Sequence, residues 1–392
     1  MKLPEPWKVL WELPSPLWRL ALAQFVNRCG TMVIAFLGLY FAKAHGLPLT
    51  TAGWLVASYS WGSLAAAPAA AWLCERWDAC RVLQGSLLGA GVLMLLFPQL
   101  EGVPAWAVGC FLLGLISELG RPAGYTALGR MAPPDRLRQS YTLNRLAVNL
   151  GMAVGPALGG LIAQRSYLGL FWVDGISSLL AGLTLMGLNS GLPSKETGPS
   201  TRLGPLFYRY LLGHFLGMLV FCQIFVALPL YLVKGLGLPE SSTGWLFSLN
   251  TLLILLIEAW ITHLTRNWVL TYAIATGYLL QGLGLGAMGL GPEYALAVAG
   301  VVFFTLGEML QCAANSTYLN LLAGGRLLGR ANAWFVGCGS LAFILTPPLV
   351  GWVLEHRGAP ALWAGIACLG VVSALWVLTL PRQPSASLVK NL

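Results

Sequence analysis

Residues 149–160 read Asn149-Leu150-Gly151-Met152-Ala153-Val154-Gly155-Pro156-Ala157-Leu158-Gly159-Gly160, inside an apolar run that spans 141–163. About 20 such residues cross the ~30 Å hydrocarbon core of a bilayer as a helix. On that helix Gly151, Gly155 and Gly159 stand four apart on one face, so the backbone offers a flat groove to a neighbouring membrane helix. Pro156 removes a backbone donor beside the groove and bends the helix. A bend and a smooth face suit an element that repacks between two states. Ordinary close packing of small residues gives the same spacing, and the spacing alone leaves both readings open.

The rest of the 392-residue chain is built the same way. Hydrophobic residues make up 57% and charged residues 9%, with a mean hydropathy of +0.72. A soluble domain carries about a quarter charged residues, so a soluble globular protein is excluded. Apolar runs near 17–42, 52–73, 82–99, 104–128, 141–163, 170–190, 209–233, 244–263, 268–289, 295–321, 331–353 and 360–380 predict an all-α polytopic membrane protein of twelve transmembrane helices. The runs are continuous rather than alternately polar, which favours helices over a barrel. Residues 191–208 are rich in Pro, Gly and Ser and predict a cytoplasmic linker between two six-helix bundles, 1–190 and 209–392. The halves echo each other. Gly155-Pro156-Ala157-Leu158-Gly159-Gly160-Leu161 has a counterpart in Thr346-Pro347-Pro348-Leu349-Val350-Gly351-Trp352, and each run leads to a basic residue, Arg165 and Arg357. Such an echo fits parallel repeats around a central cavity.

Charge sets the expected orientation. With the N-terminus inside, the inner loops and tails carry most of the 23 Lys and Arg residues, whereas the outer loops carry Lys43, Arg165, Lys234 and Arg357. That asymmetry predicts both termini in the cytoplasm of a cell-membrane protein. The net charge of +9 is then a topology signal directed at an anionic lipid face, not a nucleic-acid footprint. No cleavable signal peptide is expected, because the first apolar run follows a Pro-broken, Trp-containing stretch without a small-residue cleavage pattern. The eight cysteines fall in helices or at their cytoplasmic ends and have no metal-ligand spacing with His, so they read as packing residues. No metal or organic cofactor is expected.

These residues carry a resemblance. The architecture resembles the major facilitator superfamily, and the Gly-Pro-x-x-Gly-Gly helix is similar to the fifth-helix motif of its drug:proton antiporter branch. Ala71-Trp72-Leu73-Cys74-Glu75-Arg76-Trp77-Asp78-Ala79-Cys80-Arg81 resembles the superfamily's Gly-x-x-x-Asp-Arg-x-Gly-Arg-Arg loop. It departs from that pattern at Ala71, Glu75, Asp78 and Ala79. The resemblance implies that Glu75, Arg76 and Arg81 help latch the cytoplasmic side in the outward-open state; a solvated, topogenic turn is the plainer reading. Asn27-Arg28-Cys29-Gly30, Gly120-Arg121-Pro122-Ala123 and Thr305-Leu306-Gly307-Glu308 also look like patterns of multidrug and metabolite exporters. The resemblance implies export and leaves the substrate open.

Ionisable groups near mid-bilayer cost roughly 2.5–3.5 kcal/mol each on insertion scales, so they mark functional candidates. Arg28, Glu118, Arg121 and Glu308 fall at that depth. Glu118 and Arg121 are three apart on one helix face and suit a local ion pair. In the resembled fold Arg28 lies nearby, which leaves a spare positive charge for a substrate anion or for holding Glu118 ionised. A structural charge network is the bland alternative. Glu308 has no Lys or Arg within two turns and adjoins Met309, Leu310, Gln311 and Asn315, surroundings that suit reversible protonation. It is the first candidate for proton coupling, with Glu118 second. Asp174 and Glu258, nearer the ends of their helices, read more simply as capping or interface residues.

Tyr125, Gln223, Asn250, Gln311 and Tyr318 are polar groups in apolar helices, suited either to lining a cavity for amphipathic or cationic compounds or to bonding between helices. Three classes of function follow. The leading one is a monomeric secondary transporter exporting small amphipathic molecules against proton influx. The second is a carrier of an anionic metabolite, peptide or lipid, with Arg28 and Arg121 as the clamp. A membrane enzyme or a non-transporting sensor is the remote third: no P-loop, Ser/His/Asp pattern or metal-binding His pair is present.

Overall fold

The computed structural model describes residues 5–31, 33–191, 203–239 and 241–382, so most of the predicted linker lies outside the described residues. Every regular element among them is helical. The N-terminal part holds α1 (Glu5–Trp11), α2 (Ser15–Gly30), α3 (Val33–Leu39), α4 (Leu49–Cys74), α5 (Ala79–Leu96), α6 (Val103–Met131), α7 (Leu137–Arg165) and α8 (Tyr167–Thr184). The C-terminal part holds α9 (Pro205–Phe221), α10 (Gln223–Leu230), α11 (Ser241–Leu264), α12 (Leu270–Gly286) and α13 (Tyr294–Leu378).

The chain forms two compact units. One comprises Glu12–Thr197 and Gly325–Val336; the other comprises Met1–Trp11, Gly198–Gly324 and Gly337–Leu392. In the first, α2 packs against α7 and α8, α4 against α6, and α5 against α6 and α8. Its aromatic core includes Tyr40, Phe41, Phe97, Trp106 and Phe171, with Phe97 stacked on Phe171 at 5.2 Å. The second unit is centred on Ile224, Leu228, Phe304 and Trp363.

Local chemistry sets the helix starts. Pro lies in the first turn of α2, α6 and α9, where its missing donor is not needed. The Ser166 hydroxyl accepts the Gly169 N–H at the start of α8. Asp78 starts α5: it accepts the Arg81 N–H at 3.1 Å and both the N–H and hydroxyl of Ser190 at 2.8 Å. Asp78→Ala therefore removes a cap and a tie to the end of the bundle, and is expected to lower stability by about 2 kcal/mol. Thermal unfolding in detergent measures this, and Asp78→Asn, which keeps an acceptor, should lose less.

α13 runs as one helical element of 85 residues, which would be roughly 130 Å long if straight. It is not straight. A Cβ on Gly300 would lie 2.7 Å from the Gly284 carbonyl oxygen, and one on Gly286 would lie 2.6 Å from Ala367 Cβ, so both ends of α13 flank the same turn of α12. Pro347, Pro348 and Pro360 interrupt the donor ladder. Gly358, at φ +77°, supplies a left-handed turn that a side chain would strain.

Among the described residues, eight helical stretches are long and apolar enough to cross a membrane. The predicted first run divides at Thr31 into α2 and α3, each too short to span alone. α4 is long enough but more polar, through Ser58, Tyr59, Ser60 and Ser63, whereas α7 carries Arg138 and Arg145 in its first half and an apolar second half that lies partly outside the described side chains. Trp54, Trp61, Trp245, Leu252 and Leu375 are each more than half exposed, an apolar surface suited to lipid rather than water.

Candidate functional site

The glycine face of α7 meets α2. A Cβ on Gly151 would come within 2.6 Å of Arg28 Cβ and 2.7 Å of the Phe25 carbonyl oxygen; one on Gly155 would lie 2.7 Å from the Arg28 carbonyl oxygen. Two glycines thus allow backbone contact at Arg28. Gly159 is buried on the same helix. Pro156 and Gly160 lie in α7, but their side-chain environment falls outside the described residues. On the opposite flank α8 grips α2. Arg19 reaches the Thr184 and Met186 carbonyls at 2.9 and 2.7 Å, and Asn27 Nδ2 donates to Ser178 Oγ at 3.2 Å.

Arg28, Glu118 and Arg121 converge on one cavity of about 40 Å³ within the first unit, together with Tyr59 and Asp174. Arg121 Nε lies 3.2 Å from Glu118 Oε2, so the pair expected from their spacing is formed. The Tyr59 hydroxyl donates to Glu118 Oε1 at 3.5 Å. Arg28 Nε is buried with no hydrogen-bond partner among the described residues. Asp174, 1% exposed, accepts the Val33 N–H at 3.2 Å. Two arginines and two carboxylates make the cluster formally neutral.

The second unit holds a different kind of acid. Glu308, 7% exposed, accepts from Asn250 Nδ2 at 2.9 Å, and the same amide nitrogen donates to Thr305 Oγ1 at 2.9 Å. The Thr305 hydroxyl is itself directed to the Val301 carbonyl. One carboxylate oxygen is thereby held as an acceptor.

The other polar candidates separate. Gln311 and Asn315 bond to each other, and Asn315 Nδ2 donates to the Tyr278 hydroxyl at 2.9 Å, which lies 3.4 Å from His214 Nδ1. Tyr318 is fully buried, stacked on Tyr210 at 5.1 Å and bonded to the Pro381 carbonyl. Tyr125 packs between Tyr141 and Phe335. Gln223 Nε2 folds back onto the Leu219 carbonyl. Sequence reasoning left Tyr59, Tyr210, Tyr278 and His214 aside. A tyrosine or histidine in mid-helix among apolar neighbours was the available signal, too common to single them out.

In the loop after α4, Glu75 pairs with Arg330, at 2.7 Å from Oε1 to Nε and 3.0 Å from Oε2 to NH2. Arg330 belongs to the segment of α13 that packs with the first unit, beside Asn332, which donates to Thr126 Oγ1 at 3.1 Å. Arg76 lies over the Trp72 ring at 4.3 Å, and the Arg81 side chain is exposed. The acid, not the arginines of the motif, makes the cross-chain tie. Its partners are 22% and 37% exposed, so a Glu75→Gln/Arg330→Gln double-mutant cycle on thermal stability should give a coupling of about 0.5–1 kcal/mol.

Helices of this apolarity, with a buried acid in each unit, mark a multi-pass membrane protein. The model of the Major Facilitator Superfamily matches residues 20–340 and 211–391. The chain belongs to that superfamily, whose members are transporters rather than enzymes. It is 22% identical over 376 residues to a Na(+), Li(+), K(+)/H(+) antiporter of Planococcus maritimus, covering 84% of this chain and 87% of that protein. It is 24% identical over 283 residues to the enterobactin exporter EntS of Shigella flexneri, covering 69% and 68%. Among solved structures, the human organic anion transporter MFSD10 (TETRAN) superposes with a TM-score of 0.75 at 16% identity, covering 96% of this chain and all of that one.

Proposed function

We infer that this chain is a secondary active transporter that exports small amphipathic organic compounds by alternating access, driven by proton influx. In this reading twelve helices form two six-helix bundles in the cell membrane, both termini face the cytoplasm, and a single chain carries the function. The observation that carries it is Glu308, an acid buried in an apolar helix and held by the neutral amide of Asn250. Such a group can gain a proton from one side and lose it to the other. An antiporter and an exporter among the relatives support the same direction of transport. Gly151, Gly155, Pro156, Gly159 and Gly160 supply the face along which α2 shifts, Glu75, Arg76 and Arg81 the inner latch, and Asn250, Gln311, Tyr125, Gln223 and Tyr318 polar groups that shape the path. The two-arginine anion clamp is weakened by the Glu118–Arg121 pair, which leaves Arg28 as the available cation.

The test is proton movement in proteoliposomes loaded with a pH-sensitive dye and offered cationic, neutral and anionic amphiphiles. A compound that triggers proton flux supports antiport and gives the charge class of the substrate. Transport of any of them without proton flux overturns it.

A further inference from the structure

The start of α9 and the end of α13 clasp each other. The Trp376 indole N–H donates to the Arg209 carbonyl at 2.8 Å, and Arg209 Nη2 donates to the Thr379 carbonyl at 3.3 Å and to its hydroxyl oxygen at 3.4 Å. Thr379 closes α13, so the guanidinium serves a carbonyl of the kind that a helix end leaves without an internal partner. Gly213 makes room for the clasp, because a Cβ there would lie 2.8 Å from Trp376 Cδ1. With its N–H committed, the indole stands as a fixed wall. It borders an open groove of about 520 Å³ lined by Leu203, Pro205, Tyr208, Arg209, Leu212 and Trp376, within the size range of small-molecule sites, roughly 300–1,000 Å³. Pro205, Tyr208 and Leu212 recur at helical spacing on the exposed face of α9.

We propose that this groove holds one anionic phospholipid, with its phosphate on Arg209 and an acyl chain along Leu212 and Trp376. The first argument is charge. Arg209 meets Thr379 at the end of α13, and Arg382, just beyond, lies 5.6 Å from the ring centre of Tyr272 on α12. The starts of α9 and α12 and the end of α13 therefore share one end of the second unit, and Arg266 stands in the turn that leads into α12. Among the described side chains of this unit the carboxylates lie elsewhere: Glu293 and Glu355 adjoin the turns at the opposite end of α12, and Glu258 and Glu308 are buried. The second argument is the wall. Tyr208, 51% exposed, and Trp376 pair an apolar ring with a polar tip, the side-chain type that collects at the level of lipid headgroups. The third is the geometry of Arg209. It spends Nη2 on Thr379, and among the described residues Nε and Nη1 make no hydrogen bond, so part of a planar fork is left for a phosphate. The chain's own linker suits the groove less well, since residues 192–202 are mostly polar and bring Lys195, Glu196 and Arg202, a net positive charge, towards Arg209. The assignment needs the chain to lie in a membrane and does not depend on proton coupling.

Native mass spectrometry of the detergent-purified protein, offered phosphatidylglycerol or phosphatidylcholine with the same acyl chains, reads binding directly. The wild type should retain phosphatidylglycerol in preference. Arg209→Gln should lose about fivefold or more of that affinity, the loss expected for one arginine at an anionic lipid surface, and keep its weaker binding of phosphatidylcholine. Leu212→Trp, which fills the groove, should weaken the binding of both lipids. Arg266→Gln, at the same end but outside the groove, should leave the preference unchanged; an equal loss there would reveal a diffuse basic surface and overturn the site. Glycerol phosphate, a headgroup without chains, should not compete, and displacement of the lipid by it overturns the lipid as occupant. Thermal unfolding separates lipid binding from helix capping. Phosphatidylglycerol should raise the melting temperature of the wild type above its value in phosphatidylcholine, by mass action on the folded state, and Arg209→Gln should lose that increment. An Arg209 that only caps α13 would lower both values equally and keep the increment, which overturns the proposal. Should Arg209→Gln not fold, Leu212→Trp decides, and undiminished retention of phosphatidylglycerol by it overturns the groove. No readout here needs a transported compound, so failure of antiport would show in the proton-flux assay and failure of this assignment in the lipid adducts.

Discussion

Gly155→Val is expected to reduce transport per folded molecule by about tenfold or more, because overpacking costs of order 1–3 kcal/mol and each 1.36 kcal/mol is a factor of ten in rate. The argument is steric. The first added carbon alone would lie 2.7 Å from the Arg28 carbonyl oxygen and 3.1 Å from that of Cys29. Both are backbone atoms of α2, so no side-chain rotation relieves the clash, and α2 must move away from α7. If that contact slides during the cycle, the cost falls unequally on the two states and turnover suffers beyond any loss of stability. A static contact would lower the melting temperature and leave turnover per folded molecule unchanged, which would remove the sliding-face role. Gly151→Val, facing Arg28 Cβ and the Phe25 carbonyl oxygen, should behave alike. Gly85→Ala is the control. Its Cβ enters open space on α5, so transport should be unchanged and stability should rise by about 0.5–1 kcal/mol from helix propensity. Turnover in proteoliposomes and thermal unfolding, measured on the same preparations, separate the two effects.

The glycine face was legible in the sequence because it depends on one helix alone: a period of four fixes which residues share a side, whatever they touch. The Glu118–Arg121 pair was legible for the same reason. What they touch was not. Nothing in the spacing says that Gly155 faces the Arg28 backbone, because that depends on the angle between α2 and α7. The break at Thr31 was hidden in the run 17–42, since hydropathy counts apolar residues and cannot see a carboxylate on α8 taking the Val33 amide. Asp174 read from sequence as a possible cap, and a cap it is, for a helix 141 residues away in the chain. Asp78 counted as a departure from a loop motif, yet its acceptor oxygens tie α5 to Ser190. Tyr318, chosen as a polar group in an apolar helix, proved to be closed in by Tyr210, because an aromatic hydroxyl reaches a distant carbonyl as readily as a cavity.

Glu308→Gln is expected to abolish proton-driven accumulation while sparing downhill exchange of the same compound. The substitution is nearly isosteric and the amide oxygen can still accept from Asn250 Nδ2, so the Asn250–Thr305 arrangement survives and the helices keep their packing. What disappears is the ability to carry a proton. A pH gradient of one unit is worth 1.36 kcal/mol per proton, about a tenfold concentration ratio for one proton per substrate. The wild type should approach that ratio and Glu308→Gln should stay near one. Glu308→Asp, which keeps the acid but withdraws it by one methylene, should recover the ratio at a lower rate. Equal accumulation by wild type and Glu308→Gln would move the coupling proton out of the second unit, and the carboxylates around Arg28 would then be the place to look for it. Loss of exchange together with accumulation would mean instead that Glu308 holds the helices or the substrate rather than the proton. The coupling role therefore stands on the split between the two activities, not on the size of either loss.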